Sequence, residues 1–347
     1  MLKITKKSLI IFIFFIFIGF ILVLSPWYYL ITKTFRVSLL KTLFSWNGLK
    51  KNNNQINFLI LGIPGGNHDG PNLSDSILFA NYNLSNNKIT FISIPRDIWS
   101  PTLRDKINSA YAYGEYKKKG GGFDLAKAEI EAVVGQPIHY TLVIDFEEFK
   151  KLINFLGGID VWVTNGFVDP KFPIPGKEKD PCNGDPEYKC RYETVRFNKG
   201  LNHMDGETAL KFVRSRNAQG EEGNDFARGK RQLQVIEAIK NKIYEIIKTF
   251  DIKKITNLYK NVDQSIKKDI NNQQLAILGK NIFLKGKISI ANVSLPEDLF
   301  IIPLYSSEYD FKYVLIPKNN DFSKIHQVVD CFINTEENNA CLNIKMK

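Results

Sequence analysis

INFLILGI (Ile56–Ile63) runs into the loop PGGNHDGPN (64–72), and SILFANYN (76–83) and KITFISIP (88–95) come next, joined by LSNN (84–87). The first is a short unbroken apolar run with turn residues behind it, the pattern of a buried strand that feeds a loop. The next two have strand composition and a four-residue connection, which predicts a β-hairpin. Its pairing sets Asp75 and Arg96 at the outer ends of neighbouring strands, on one edge of a sheet.

Downstream, helical and strand patterns alternate: INSAYAYGEYKK, DLAKAEIEAVVG, the strand HYTLVIDF, the helix FEEFKKLINFLGG and the strand IDVWV. Asp145 followed by Glu148 resembles a capping box, a structural use of both acids. Residues 165–200 are rich in Pro, Gly and Lys and read as a surface insert. GETALKFVRSR and DFARGKRQLQVIEAIKNKIYEIIKTF then read as helices joined by the polar loop NAQGEEGN, and two more helical stretches, strands such as KISIANVSL and YVLIP, and a final helix close the chain. The mixture predicts an α/β fold with a mixed central sheet flanked by helices. Its core spans 56–250, and 251–347 completes the same domain.

Ahead of this domain, residues 8–32 carry no charged side chain and as a helix would extend roughly 37 Å, enough to cross the hydrocarbon core of a bilayer. Trp27, Tyr28 and Tyr29 stand where an interfacial aromatic belt is expected, and the apolar run is longer than the core of a secretory signal. One transmembrane helix is predicted, with residues 1–7 as a short cytoplasmic tail and 33–55 as a solvated stalk. Three leading lysines are balanced by Lys33, Arg36 and Lys41, so flanking charge does not orient the span. Cysteine spacing does. Cys182 with Cys190 and Cys331 with Cys341 suit local disulfides in an oxidising compartment, and the rival zinc reading lacks CxxC spacing. This places the domain outside the cytoplasm.

The 47 basic residues exceed the 36 acidic ones by 11, and leaving out Lys3, Lys6 and Lys7 keeps about +8 on the rest, a balance that favours anionic partners. Arginines concentrate in two places. SIPRD (Ser93–Asp97) holds Arg96, and FVRSRNAQGEEGNDFARGKRQ (Phe212–Gln232) holds Arg214, Arg216, Arg228 and Arg231. Guanidinium stays charged and grips phosphate oxygens through two parallel bonds, so the cluster suits a phosphorylated ligand. Asp225, Arg228 and Gln232 follow at steps of three and four and share one helix face, while Arg231 points a quarter-turn or more away. Asp225 also reads as an N-cap, and Arg216 as a cation that complements a helix dipole. Asp75 and Asp97 offer hard oxygen ligands for Mg2+ beside these cations, and Lys106 adds a further charge.

In order, NFLILG, Ser74-Asp75, SIPRD, KINSAYAYGE, HYTLVIDFEEF, LGGIDVWV, GLNHMDGETALKFVRSR and GNDFARGKRQ resemble the LytR-CpsA-Psr (LCP) family of cell-wall glycopolymer ligases over residues 56–250. The resemblance implies a magnesium-dependent phosphotransferase that moves a glycan phosphate from a polyprenyl pyrophosphate carrier to a hydroxyl of cell-wall polysaccharide, typically peptidoglycan. It further implies that Arg96, Arg214, Arg216 and Arg228 hold the pyrophosphate, that Asp75 and Asp97 position the metal, and that Lys106, Gln232 and Arg231 support the head group. Asp225 would orient the arginines or assist the acceptor hydroxyl. The carrier's tail needs an apolar tunnel. Leu73 stands where family members often carry an arginine, and the insert with Cys182 and Cys190 has no counterpart in the pattern. Two other functions compete: a pyrophosphate hydrolase using the same site, and a non-catalytic protein that binds an anionic lipid. Nucleic acid is not an expected partner, because no helix-turn-helix, zinc module or aromatic platform accompanies the basic residues.

Overall fold

A computed structural model gives the backbone of residues 6–45, 48–66, 70–286, 288–335 and 341, with side chains described from residue 14 onward except at Asp225. The hairpin forms where its spacing puts it. β1 (Gln55–Ile63), β2 (Ser76–Asn83) and β3 (Lys88–Ile94) make an antiparallel meander whose register pairs Ile77 with Ile94. Beyond β3, β4 (Trp99–Ser100) and β5 (Asp105–Lys106) form a small ladder of their own. β6 (Tyr140–Asp145) runs parallel to β1. β7 (Ile159–Val163) pairs with β10 (Gly200–Met204), and β8 (Phe167–Pro173) with β9 (Tyr192–Phe197). β11 (Lys267–Lys268) and β12 (Ser289–Ser294) then close the central sheet in the order β11-β6-β1-β2-β3-β12. Both β6 on β1 and β12 on β3 are parallel, so the sheet is mixed as predicted. β13 (Phe300–Ile301) and β14 (Ile316–Pro317) make a short ladder near the C-terminus.

Alternation along β1 divides the layers. Leu59, Leu61 and Ile63 are buried in the core shared with α3 (Ala110–Lys117), α4 (Gly121–Val134) and α10 (Ser323–Asn334), while Ile60 and Gly62 point the other way, as a two-residue period requires. On that second face lie α5 (Phe146–Phe155), α6 (Gly206–Arg214), α7 (Asp225–Lys248) and α8 (Ile252–Ser265), whose apolar sides form a separate core around Leu152, Val161 and Phe212. Asp145 caps α5 by accepting from the Glu148 amide at 2.8 Å. The reciprocal arm of a capping box is absent, because Glu148 turns instead to Lys151 and Ser265.

At the N-terminus, α1 (Lys6–Tyr29) continues into a π-helical turn, and Phe14–Thr34 has a mean hydropathy of 2.1 with 6% of it buried. It is the one helix long and apolar enough to cross a membrane among the described residues. The segment after this helix departs from the expected solvated stalk. α2 (Leu39–Phe44) docks on α9 (Asn272–Lys285): the Ser38 amide donates to Gln273 Oε1 at 2.8 Å, and Gln273 Nε2 donates to Thr42 Oγ1 at 2.8 Å. Val37 and Leu49 are buried, and the Phe35 ring lies 4.5 Å from Tyr259 of α8. A lysine- and asparagine-rich composition reads as solvated, but here the backbone amide and two apolar side chains find partners more than 200 residues away.

The insert is also more than a surface excursion. Its tip carries the Cys182–Cys190 disulfide, yet Phe167, Phe172, Val195 and Phe197 on its two strands are buried in the second core. Cys331 and Cys341 form the other disulfide, tying Cys341 to α10. Both close cysteine pairs are therefore disulfides, and the Asp180, Cys182 and Cys190 side chains that approach one another offer no free thiolate to zinc.

Candidate functional site

The β2/β3 register brings Asp75 and Arg96 together at the sheet edge, where the Arg96 guanidinium pairs with the Asp75 carboxylate. Its Nε lies 3.7 Å from Asp97 Oδ2, too long for a hydrogen bond but an ion pair. Asp97 is 2% exposed and collects two further cations: Lys106 Nζ donates to Oδ1 at 2.6 Å, and an Arg216 nitrogen stands 3.8 Å from Oδ2. β5 carries Lys106 to this position by pairing it with Trp99. A buried carboxylate with three neighbouring cations acts as the hub that orients them.

Arg214 ends α6 with its guanidinium 4.5 Å from the centre of the Phe146 ring and 5.8 Å from that of Phe172, two cation–π contacts. Burial, ahead of repulsion from Arg96, pulls its pKa below the ordinary arginine value, and Asp75 opposes the shift. Sequence reading missed the residue that fixes the next turn. Asp169, fully buried on β8, accepts from the amides of Arg216 at 3.1 Å and Asn217 at 3.2 Å. Its place within a loop-like FVDPKFP gave no sign of this role.

On α7 the N-cap is Asn224, whose side chain accepts from Ala227 N at 2.8 Å; Asp225 is the first helical residue rather than the cap. Gly229 lies against β3, where a Cβ would stand 2.3 Å from Ser93 Oγ, so only glycine lets this turn of α7 approach the sheet. That approach brings Arg228 and Gln232 to the same space as Arg96, Arg214 and Arg216. Arg231 goes elsewhere. It is 2% exposed, and its guanidinium donates to the carbonyls of Phe212 at 3.1 Å and Glu222 at 3.0 Å, to that of Ser215, and to the Glu222 carboxylate at 2.8 Å. It braces the loop between α6 and α7 and does not line the cavity, so the expectation that it binds substrate is corrected: a helical wheel gives its angle but not the loop folded over it.

Asp75, Arg96, Arg214, Arg216, Arg228 and Gln232 line one end of a cavity of about 920 Å³. From there the wall turns aliphatic: Val235, Ile236, Ile239 and Ile243 continue the Arg228–Gln232 face of α7, opposed by Phe149, Leu152 and Val262. The fifteen helical steps from Arg228 to Ile243 extend about 22 Å along the helix. The C-terminal segment adds Phe300, Ile302 and Tyr313 at the polar end, a contribution that no sequence motif signalled. Lys106 stands 5.7 Å from the Tyr313 ring, behind the lining. Cationic at one end and aliphatic along its length, the cavity matches a ligand with a phosphorylated head and a hydrocarbon tail.

The sequence pattern of the LytR_cpsA_psr family matches residues 33–327. The chain belongs to the LytR_cpsA_psr family. Among curated proteins, it is 30% identical over 222 residues to the polyisoprenyl-teichoic acid–peptidoglycan teichoic acid transferase TagU of Bacillus cereus, covering 62% of this chain and 61% of that one. The homologous TagU of Bacillus mycoides is 30% identical over 203 residues, 56% of each chain. This LytR_cpsA_psr protein thus spans about three fifths of the length of these relatives. Among solved structures, Bacillus subtilis TagV superposes with a TM-score of 0.54 at 23% identity, covering 83% of this chain and all of that one, which establishes the shared fold.

Proposed function

We propose that this LytR_cpsA_psr protein is a membrane-anchored phosphotransferase that moves a glycan phosphate from a polyprenyl pyrophosphate carrier to a hydroxyl of cell-wall polysaccharide, peptidoglycan or a related polymer. One observation carries the reading: four arginines meet at the head of a cavity whose remaining length is aliphatic. The pyrophosphate sits among Arg96, Arg214, Arg216 and Arg228 with Gln232 beside it, and the prenyl tail lies along α7. The acceptor oxygen attacks the glycan-bearing phosphorus, the bond to the bridging oxygen breaks, and polyprenyl phosphate leaves. The acceptor's proton passes to a carboxylate, for which Asp225, three residues before Arg228, is the candidate. Positioned cations neutralise the charge that builds on the migrating phosphoryl and leaving oxygens, the main contribution a protein makes to such a transfer. The printed names of the Bacillus relatives, teichoic acid transferases acting on peptidoglycan, support the substrate and acceptor classes.

Asp75 and Asp97 are the residues that would hold Mg2+. Both carboxylates already pair with a cation, Arg96, and are hard anionic oxygen donors of the kind Mg2+ takes. The ion would supply positive charge to the pyrophosphate oxygens. The two disulfides support an extracytoplasmic domain on a single-pass anchor.

The test is to supply the full chain in nanodiscs with lipid-linked glycan, Mg2+ and cell-wall polysaccharide. Labelled acceptor together with released polyprenyl phosphate is the expected result, lost on Arg96→Ala and reduced by chelation. Phosphoglycan released without labelled acceptor would identify a hydrolase instead, and unchanged turnover in Arg96→Ala would remove the site.

A further inference from the structure

We propose that α2 and the last turn of α9 form a seat that rests on the bilayer and holds the domain at a fixed attitude to it. The inference rests on α1 as the membrane span and not on the transferase reading. Leu40, Leu43 and Phe44 of α2 are 70%, 58% and 76% exposed, and Phe283 and Leu284 of α9 are 83% and 62% exposed. The two groups adjoin. Lys280 Nζ donates to the carbonyl of Ser45 at 3.2 Å and approaches that of Leu43 at 3.4 Å, and residues 283 and 284 lie one turn further along the same side of α9. Five large apolar side chains contiguous on two short helices are not normal for a water-facing surface.

The chain itself specifies what covers them. Thr34 ends the apolar helix and Leu40, the first residue of the patch, follows six positions later. Lys33, Arg36 and Lys41 are exposed between residues 33 and 41, a cationic fringe suited to anionic headgroups. Apolar side chains flanked by cations at the end of a span form an interfacial surface. The seat is also rigid. Gln273 clamps Ser38 and Thr42, and Phe35 packs on Tyr259, so the domain has no free tether on which to swing away.

Two consequences give the attitude. α9 packs through Ile277 with Ile56 at the start of β1, whereas Gly62 at the other end of that strand lines the cavity, six residues and about 20 Å away. The arginine cluster therefore stands on the side of the domain away from the bilayer. α8, which meets the juxtamembrane Phe35 through Tyr259, presents Val262 to the aliphatic cavity wall one turn later, so one helix joins the seat to the place where a prenyl tail would lie.

The test places a photoreactive benzoylphenylalanine at Phe44, Phe283 or Leu304 of the full chain, in nanodiscs of phosphatidylcholine and phosphatidylglycerol. Leu304 is the control because it is 90% exposed in the segment that supplies Phe300 and Ile302 to the polar end of the cavity. Lipid adducts at positions 44 and 283 should exceed those at 304 by at least fivefold, whether or not the protein transfers glycan. Equal or greater lipid labelling at 304, or crosslinking of positions 44 and 283 to a second copy of the chain, would overturn the seat.

Discussion

Arg231→Met separates a brace from a substrate contact, and the structure sets its size. Substitution removes the donors to three backbone carbonyls and to the Glu222 carboxylate, within a site where the arginine side chain is 3% exposed. Leaving buried acceptors unpaired costs about 1–3 kcal/mol each, and methionine recovers part of that through its contact with Phe167, for a net loss of about 3–5 kcal/mol. With an unfolding entropy near 2.1 cal/mol/K per residue over roughly 300 folded residues, this lowers Tm by about 5–8 °C. Arg216→Met is the comparison. Its guanidinium is 41% exposed and 3.8 Å from Asp97, a contact worth at most about 1 kcal/mol, so Tm falls by about 2 °C or less. Turnover should show the reverse order, dropping about 10²–10³-fold in Arg216→Met, as when one preorganised charge donor is lost, and far less in Arg231→Met below its Tm. Scanning fluorimetry and acceptor labelling on the full chain measure both. An Arg231→Met protein with unchanged Tm and turnover as low as that of Arg216→Met would refute the division of labour.

Ile239→Asp puts a carboxylate on the aliphatic wall and should raise KM for a long-chain carrier at least tenfold while sparing a short-chain analogue; equal effects on both would argue against a tail site. Breaking Cys331–Cys341 by double substitution to Ser should cost about 2.5–3 kcal/mol, the chain-entropy value for a loop of this length, read as a lower denaturation midpoint. Asp105 is half-buried, which by itself raises its pKa, but hydrogen bonds from Lys312, Tyr113 and the Lys106 amide outweigh desolvation and leave the carboxyl below its usual range. A depressed carboxylate contributes stability that is full above its unfolded pKa and is lost as pH falls through the lower folded value, so stability should decline from about pH 4 downward, and Asp105→Asn should remove part of that decline.

Legibility in the sequence followed locality. The hairpin from Ser76 to Ile94 and the α7 face shared by Arg228 and Gln232 depend on periods of two and 3.6 within a few residues, and the charged head of the cavity could be placed from them. Even the aliphatic continuation through Val235, Ile239 and Ile243 obeys the same helical period, although core packing explains such a stripe equally well until an opposing wall is seen. Arg231 could not be assigned in this way, because its partners lie in a loop that folds back over α7. Asp169 was hidden for a similar reason: one carboxylate on an insert strand fixes the amides that carry Arg216 almost fifty residues later.

The same distinction accounts for the juxtamembrane segment. Composition marks residues 33–55 as a solvated stalk, but docking needs only a few partners, and Gln273, Tyr259 and Ile277 supply them from the far end of the chain. Such long-range contacts are rigid only when several act together, which is why the clamp at Ser38 and Thr42 matters more than any one apolar contact. A phosphate site built to receive a lipid must reconcile two demands: the head has to sit among cations, and the tail has to leave a bilayer without crossing water. On the proposed function, arginines at one end of β1, an aliphatic wall along α7 and α8, and a segment after α1 clamped to α8 and α9 would meet both demands with one continuous set of elements.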